Sequence, residues 1–164
     1  MEEPYFEKYL RRFDSLADPV EQLWSQGQDF VDWARSVDSD QTSIIHQPYT
    51  WTFREVLKHI SDSERVFAFR ALWIARGSKE ALPSFDEHAF LANSSANETP
   101  WLELTEEFLS VRQATLSLFK NLPERSWHNR GLAAGFELDV KMLCGMIYGH
   151  LDHHINIMKK RLEK

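Results

Sequence analysis

Cysteine is almost absent from this sequence, which contains Cys144 and no other. A single cysteine cannot form an internal disulfide, so nothing in the chain indicates an oxidising compartment. Cys144 lies in an apolar segment close to Leu143 and Met146. We therefore interpret it as a small buried hydrophobe rather than as a nucleophile.

Long apolar runs are missing as well. No stretch reaches the roughly 18 consecutive apolar residues that a transmembrane helix requires. Residues 1–4 include two glutamates and do not begin the apolar core of a signal peptide. We therefore expect no membrane association and a cytoplasmic location.

Basic residues are fewer than acidic ones, with 19 lysines and arginines against 25 aspartates and glutamates. The net charge is −6, and the longest basic clusters, residues 11–12 and 159–161, are too short to form a nucleic-acid-binding surface. The second of these clusters falls in the last turn of a predicted helix, where cations complement the helix dipole. We therefore expect no nucleic-acid partner.

The chain does contain a regular pattern of hydrophobic residues. Its 164 residues, 43 % of them hydrophobic, suffice for a single domain spanning residues 1–164. Apolar side chains recur at helical spacing over residues 19–37, 52–76, 99–122 and from 139 almost to the end. Four amphipathic helices of this length predict an all-α fold, a four-helix bundle.

Local signals define the helix starts and the connections. A capping residue followed by a proline occurs twice, at Asp18-Pro19 and at Thr99-Pro100. Thr52 and Glu55 form a predicted capping box, and Asp139 can cap the fourth helix. The connection 78–98 is long for a compact domain and predicts a crossover between the second and third helices. Residues 5–13 suggest a short lead-in helix, residues 127–138 suggest a loop, and no stretch alternates convincingly as a strand.

The aromatic residues fit a packed interior. Trp24 and Phe108 lie on the predicted core stripes, and Phe67 and Phe119 do likewise. Trp73 and Trp101 could pack at a dimer face or over the mouth of a site. We favour packing over substrate stacking for these side chains.

Three histidines carry the chemistry. His150 and His154 are one helical turn apart and continue the apolar stripe of Leu143 and Ile147, so both should point inward. His153 falls about 100° further round the helix and is interpreted as a flanking residue or a partner contact. His59 lies on the probable inner face of the second helix, so a third imidazole can reach the same point.

These histidines could form an open metal site, since three imidazole ligands leave a coordination position for a substrate. The spacing of His150 and His154 alone favours a surface or satisfied pair of histidines, and the addition of His59 makes a metal site and a structural pair equal alternatives. Imidazole suits zinc, nickel, copper or ferrous iron, and the pattern does not choose among them. His46, His88 and His128 lie in predicted loops and are interpreted as solvated.

Several segments together resemble the DinB/YfiT-like family. The segment 51–65, WTFREVLKHISDSER, resembles the second helix of that family, and the similarity extends in order through 69–77, 82–87, 107–115 and 149–154. It spans about residues 5 to 162. The chain departs from the family pattern at residues 48–50, where Gly-Lys is common, and at His88, where asparagine is common.

The resemblance implies a four-helix bundle that binds a divalent metal, most often zinc or nickel, through His59, His150 and His154. Characterised relatives are thiol S-transferases that use bacillithiol or mycothiol, and members are often homodimers. The resemblance therefore implies an enzyme that joins a small-molecule thiol to an electrophile. A metal-dependent hydrolase and a metal-binding or dimerisation module without catalysis remain alternatives.

Five further residues are candidates for the surroundings of the site. Asp62 either orients a ligand ring or is a solvated helix charge, and the small Ser63 leaves room beside His59. For Arg70 we favour a buried ion pair over contact with a ligand. His88 could line the substrate mouth, and His153 could flank the ligands.

Overall fold

Four long helices form a bundle in the computed structural model, which describes residues 4–13 and 17–163. The chain order is α1 Glu7–Leu10, α2 Pro19–Ser36, α3 Ser39–Thr42, α4 Phe53–Ala75, α5 Glu87–Ala92, α6 Trp101–Lys120, β1 Arg130–Ala133, β2 Phe136–Asp139 and α7 Val140–Leu162, with a 3-10 turn at Glu124–His128 before the strands. Helices α2, α4, α6 and α7 are the four bundle helices, so the predicted all-α four-helix bundle is confirmed. The lead-in helix is a single turn, α1.

The helix starts follow the sequence signals with one exception. The Asp18 side chain accepts a hydrogen bond from the Glu21 amide at 2.8 Å, and Asp139 accepts one from the Met142 amide at 2.7 Å. At α4 both halves of the capping box are present. The prediction of a Thr99 cap is wrong: α6 begins after Pro100 without a side-chain cap, because the Thr99 hydroxyl instead donates to a carbonyl in the preceding turn.

Contacts along the helices give their order and direction. Helix α4 packs against α6 on one side and α7 on the other, and α2 closes the ring between α6 and α7. Phe53 meets Trp101 near the start of α4 and Glu64 meets Arg112 further along, so α4 and α6 run parallel. Helix α7 runs antiparallel to α4, and α2 runs antiparallel to α6.

The parallel arrangement of α4 and α6 requires a crossover. The connection 76–100 must return from the end of α4 to the level of its start, and it includes the short helix α5. The predicted crossover between the second and third bundle helices is therefore present. Its first part is fixed to the strands that follow α6, since the Leu82 amide donates to the Leu132 carbonyl at 3.0 Å.

The prediction of a loop without strands over residues 127–138 is wrong. Strands β1 and β2 form an antiparallel hairpin with Ala133 paired to Phe136. The two residues between them, Ala134 and Gly135, both have positive φ, at 53° and 83°. That geometry is typical of the two-residue turns whose twist matches the strands. Each strand has four residues, too few for a clear alternating pattern.

The core consists of two apolar clusters at different levels of the bundle. One contains Phe67, Phe119 and Leu143, and the other contains Phe30 and Phe108. Between these levels each helix carries buried polar groups or glycine. They are Gly27 on α2, His59, Ser63 and Glu64 on α4, Arg112 on α6, and His150 on α7. The predicted site histidines thus belong to a polar layer across the bundle.

One aromatic prediction is wrong, because Trp24, predicted in the core, is 51 % exposed. Trp101, for which we favoured packing over substrate stacking, is buried in the core and not at a dimer face or site mouth. The indole N–H of Trp101 donates to the Ala34 carbonyl at 2.7 Å. None of the helices in residues 4–13 and 17–163 has the length and apolar character needed to span a bilayer.

Candidate metal centre

The structure brings His59, His150 and His154 together between α4 and α7. The Nε2 atoms of His59 and His150 lie 3.0 Å apart, and those of His150 and His154 lie 3.2 Å apart. One ring nitrogen from each residue lies within 4.8 Å of the other two. His150 and His154 stand one turn apart on α7, and the antiparallel α4 brings His59 opposite them.

The Nε2 separations of 3.0 and 3.2 Å fit neighbouring imidazole ligands of one metal ion. With a zinc–nitrogen bond of about 2.0–2.1 Å and tetrahedral angles, two ligand nitrogens are separated by about 3.3 Å. Each nitrogen of a neutral imidazole offers either one N–H or one lone pair, so Nε2 of His150 can form a good hydrogen bond with only one of the two nitrogens that it faces. An ion would instead accept a lone pair from each of the three rings. The donor set therefore fits a divalent metal and leaves one position open.

Burial keeps these rings neutral. It lowers the pKa of His150 and of His154 well below the usual histidine value, and the neighbouring imidazoles add to the effect. Burial also lowers the pKa of His59, although the carboxylate of Glu87 acts in the opposite direction. Neutral imidazole is the form that binds a metal, so the three histidines need not release a proton before they bind an ion.

Other side chains hold the three rings in place. The Ser63 hydroxyl lies 3.5 Å from Nδ1 of His59. The ring centroid of Trp51 is 5.2 Å from that of His59, and Tyr9 meets His150 edge-on at 5.3 Å. Because the apolar rings exclude water from around the nitrogens, the electrostatic effect of a bound ion would be strengthened.

A cavity of about 400 Å³ opens beside His150. Its walls come from α1, α4, the connection before α5, and the turn of the hairpin. The charged and hydroxyl-bearing side chains that line it are Tyr5, Lys8, Tyr9, Ser63, Ser84, Arg70 and Glu87. Burial raises the pKa of the Tyr9 hydroxyl to about 12, and Glu87 contributes to the increase. A small molecule in this cavity would reach His150, the member of the histidine cluster that lines it.

Arg70 lies in the cavity wall and is 2 % exposed. Its Nη2 donates to the Pro83 carbonyl at 2.8 Å, and its guanidinium lies 5.8 Å from the ring centre of Phe85. Within residues 4–13 and 17–163 Arg70 forms no salt bridge, so the buried ion pair that we favoured is not observed there. Its Nη1 is buried without a hydrogen-bond partner.

The remaining candidates lie at different distances from the cluster. Asp62 accepts a hydrogen bond from Arg65, one turn along the same helix, at 3.1 Å. Within the described residues it forms no hydrogen bond with a histidine, which agrees with a charged residue on the helix surface rather than with one that orients a ligand ring. His153 packs against the rings of His154 and Tyr9 at the flank of the cluster. His88 is exposed on α5, and its ring meets Trp51 at 5.5 Å.

Sequence reasoning missed Tyr9, Lys8 and Glu87, which come from short segments outside the bundle helices. A signal for the first two was present in Gly149, directly before His150. A Cβ at Gly149 would lie 2.1 Å from the Tyr9 carbonyl oxygen, so only glycine lets α1 pack there. Glu87 had no such signal, because its position depends on the path of the crossover.

The fold and the cluster define a class: a four-helix bundle with three histidines from two antiparallel helices and a site suited to a divalent ion. The family model of the DinB superfamily matches residues 22–158, and this chain belongs to that superfamily. No curated protein matches the chain in sequence.

Two solved structures resemble the fold. YfiT from Bacillus subtilis, described as a probable metal-dependent hydrolase with an unusual four-helix bundle topology, has a TM-score of 0.72 at 13 % identity, over 98 % of this chain and 87 % of that one. The mycothiol-dependent maleylpyruvate isomerase has a TM-score of 0.72 at 11 % identity, over 89 % of this chain and 61 % of its own length. At such identities these likenesses establish the fold alone.

Proposed function

We propose that this protein is a metal-dependent thiol S-transferase, which joins a low-molecular-weight thiol to a small electrophile. The observation that carries the proposal is the cluster of His59, His150 and His154, of which His150 lines a cavity of about 400 Å³. Three neutral ligands leave the full charge of a divalent ion uncompensated, and zinc or nickel suits such ligands. The name of the mycothiol-dependent structural neighbour agrees with thiol chemistry.

A divalent ion held by the three histidines would favour the thiolate form of a thiol in the cavity. Ser63 would hold the His59 ring in orientation through Nδ1, and Trp51 would limit access of water. Glu87, whose carboxylate lines the cavity, would accept the thiol proton. In the overall reaction a sulfur–carbon bond forms, and the leaving group departs with the electron pair of the bond that breaks.

The reaction is tested with protein loaded with zinc or nickel, bacillithiol or mycothiol, and 1-chloro-2,4-dinitrobenzene as a chromogenic electrophile. We expect conjugation that requires both the metal and the thiol, and that His150→Ala abolishes together with metal binding. His128→Ala is the matched control, since His128 is exposed and lines a different cavity. If His150→Ala binds metal as well as the parent protein, the assignment of the site is wrong.

A metal-dependent hydrolase is the second candidate, supported by the description of YfiT. The same three ligands would then bind a water molecule whose pKa the ion lowers. Hydrolysis of a chromogenic ester or amide in the absence of thiol, lost in His150→Ala, would favour this reaction over transfer. Metal binding without either activity would favour a binding or dimerisation module, and sedimentation analysis would test the homodimer that we also propose.

A further inference from the structure

The protein uses only part of the hydrogen-bonding capacity of Arg70, since the Tyr5 hydroxyl interacts with its guanidinium while one nitrogen is left over. The side chain is 2 % exposed, its Nη2 is bonded to the Pro83 carbonyl, and its Nη1 has no partner in the described part of the chain. Leaving a buried charged donor unpaired costs free energy. Groups of this kind in native structures call for an explanation, and a bound ligand is one.

The position of Arg70 relates this donor to the histidine cluster. Ser63, Phe67 and Arg70 are spaced by four and three on α4, so they share one face. Ser63 lies beside His59, and Arg70 is about 10 Å further along the helix axis. Long side chains on a helix point back towards its N-terminus, which brings the guanidinium nearer to the cluster. Arg70 and His150 line the same cavity.

The charge of the cavity is opposite to that of the whole protein. The chain has a net charge of −6, yet Lys8 and Arg70 place two positive groups on the cavity wall against one negative group, Glu87. A divalent ion at the histidines would add two further positive charges. The cavity would therefore attract an anion. Phe67, Phe85 and Ala134 provide apolar wall between the charged groups.

From these contacts we infer that the cavity binds a small molecule that carries a carboxylate, with the carboxylate on Arg70 and the other end at the histidine cluster. A planar guanidinium with a free nitrogen matches a carboxylate. The inference rests on the proposed function, since it describes a substrate of the same site. The carboxylate belongs either to the thiol or to the electrophile, and the experiments below separate the two.

The first experiment uses metal-free protein, so that its result does not depend on the metal. Hexanoate and 1-hexanol are titrated into 15N-labelled protein, and NMR shifts give their dissociation constants. We expect hexanoate to bind more tightly than the alcohol. Arg70→Gln should weaken hexanoate binding by about 10-fold or more, as expected for loss of a charge-assisted hydrogen bond, and should leave the alcohol unaffected.

Arg76→Gln provides the matched control, because Arg76 ends the same helix and is exposed. It removes the same charge from the chain and should leave hexanoate binding unchanged. Arg70→Lys retains a positive charge and should retain part of the affinity. The NMR spectra themselves report whether each variant is folded. Equal hexanoate affinity in the parent protein and in Arg70→Gln would overturn the inference.

The second experiment uses cobalt-loaded protein, in which binding of a thiolate to cobalt adds an absorption band in the near ultraviolet. If the thiol carries the carboxylate, 6-mercaptohexanoate should bind about 10-fold more tightly than 6-mercapto-1-hexanol, and Arg70→Gln should remove the difference. If hexanoate binds through Arg70 but the two thiols bind equally, the carboxylate belongs to the electrophile. Absence of any cobalt–thiolate band would contradict the proposed function. The hexanoate titration would still show whether Arg70 binds a carboxylate.

Discussion

Glu64 and Arg112 form a buried ion pair between α4 and α6. Two guanidinium nitrogens of Arg112 donate to the two carboxylate oxygens of Glu64 at 2.8 and 2.9 Å, and a third donates to the Leu23 carbonyl at 2.7 Å. The side chains are 1 % and 3 % exposed. Gly27 provides the space, since a Cβ there would lie 3.1 Å from Arg112 Cγ. Every part of this pair is satisfied, in contrast to Arg70.

We therefore predict that Glu64→Gln lowers the free energy of unfolding by about 3–5 kcal/mol, because the charge of Arg112 stays buried without its partner. Replacing both residues, Glu64→Leu with Arg112→Met, should recover part of the loss. The measurement is urea unfolding followed by circular dichroism. Glu137→Gln is the control: its pair with Arg130 is 64 % and 56 % exposed, and its loss should cost about 0–1 kcal/mol.

The burial of Cys144, the single cysteine, predicts that its thiol is unreactive in the folded protein. Cys144 is fully buried, and burial raises the pKa of its thiol to about 12. At pH 8 only about one thiol in ten thousand would be ionised, so it should not react with Ellman's reagent until the protein unfolds. Ser110→Cys, on the exposed face of α6, should react at once. Rapid reaction of native Cys144 would contradict this placement.

The burial of Cys144 also predicts the effect of Cys144→Ala on activity. In the proposed reaction the nucleophilic sulfur belongs to the small-molecule thiol, so this substitution should leave conjugation unchanged. Loss of activity without loss of folding would show that the protein's own thiol takes part.

At the scale of elements, the packing of α1 on α7 covers the histidine cluster. The contact depends on Gly149, since a Cβ there would meet backbone atoms of Tyr9 at 2.1–2.6 Å. At Gly145, one turn earlier, the atoms nearest to a Cβ would be side-chain atoms of Leu10 and Phe13, at 3.0 Å. Arg12 and Asp152 form an ion pair across the same contact.

Gly149→Ala should therefore displace α1 from α7. Overpacking costs about 1–3 kcal/mol, which outweighs the helix preference of alanine over glycine, about 1 kcal/mol. Trypsin should cleave the displaced segment faster after Lys8 and Arg12. Gly145→Ala should be close to neutral, because the side chains opposite can move. Equal rates of cleavage in the two variants would argue against a requirement for glycine at residue 149.

The elements show how far the sequence predicts this fold. Capping signals and apolar stripes identify the bundle helices and bring His59, His150 and His154 to inner faces, because these signals act within one helix. The hairpin and the cavity depend on contacts between distant segments. Glu87 reaches the cavity through the crossover, and the free Nη1 of Arg70 appears only once its neighbours are placed.

For the whole molecule, the polar layer divides the core into two apolar clusters. The histidines and the Glu64–Arg112 pair meet at this level, so α4 contributes to both. The three imidazole nitrogens face one another while buried among rings, a placement that costs free energy unless they share a partner. An ion would link α4 to α7 at the level where apolar packing is interrupted.

Metal binding should therefore stabilise the folded protein as a whole. An ion that binds only the native state, at 100 times its dissociation constant, adds about 2.7 kcal/mol, which corresponds to a rise in Tm of about 5–10 °C for a domain of this size. Calorimetry with zinc or nickel, with and without a chelator, measures the shift. His154→Ala should lose it and His128→Ala should keep it. A Tm that does not respond to metal, or a full shift in His154→Ala, would contradict a structural link through these three histidines.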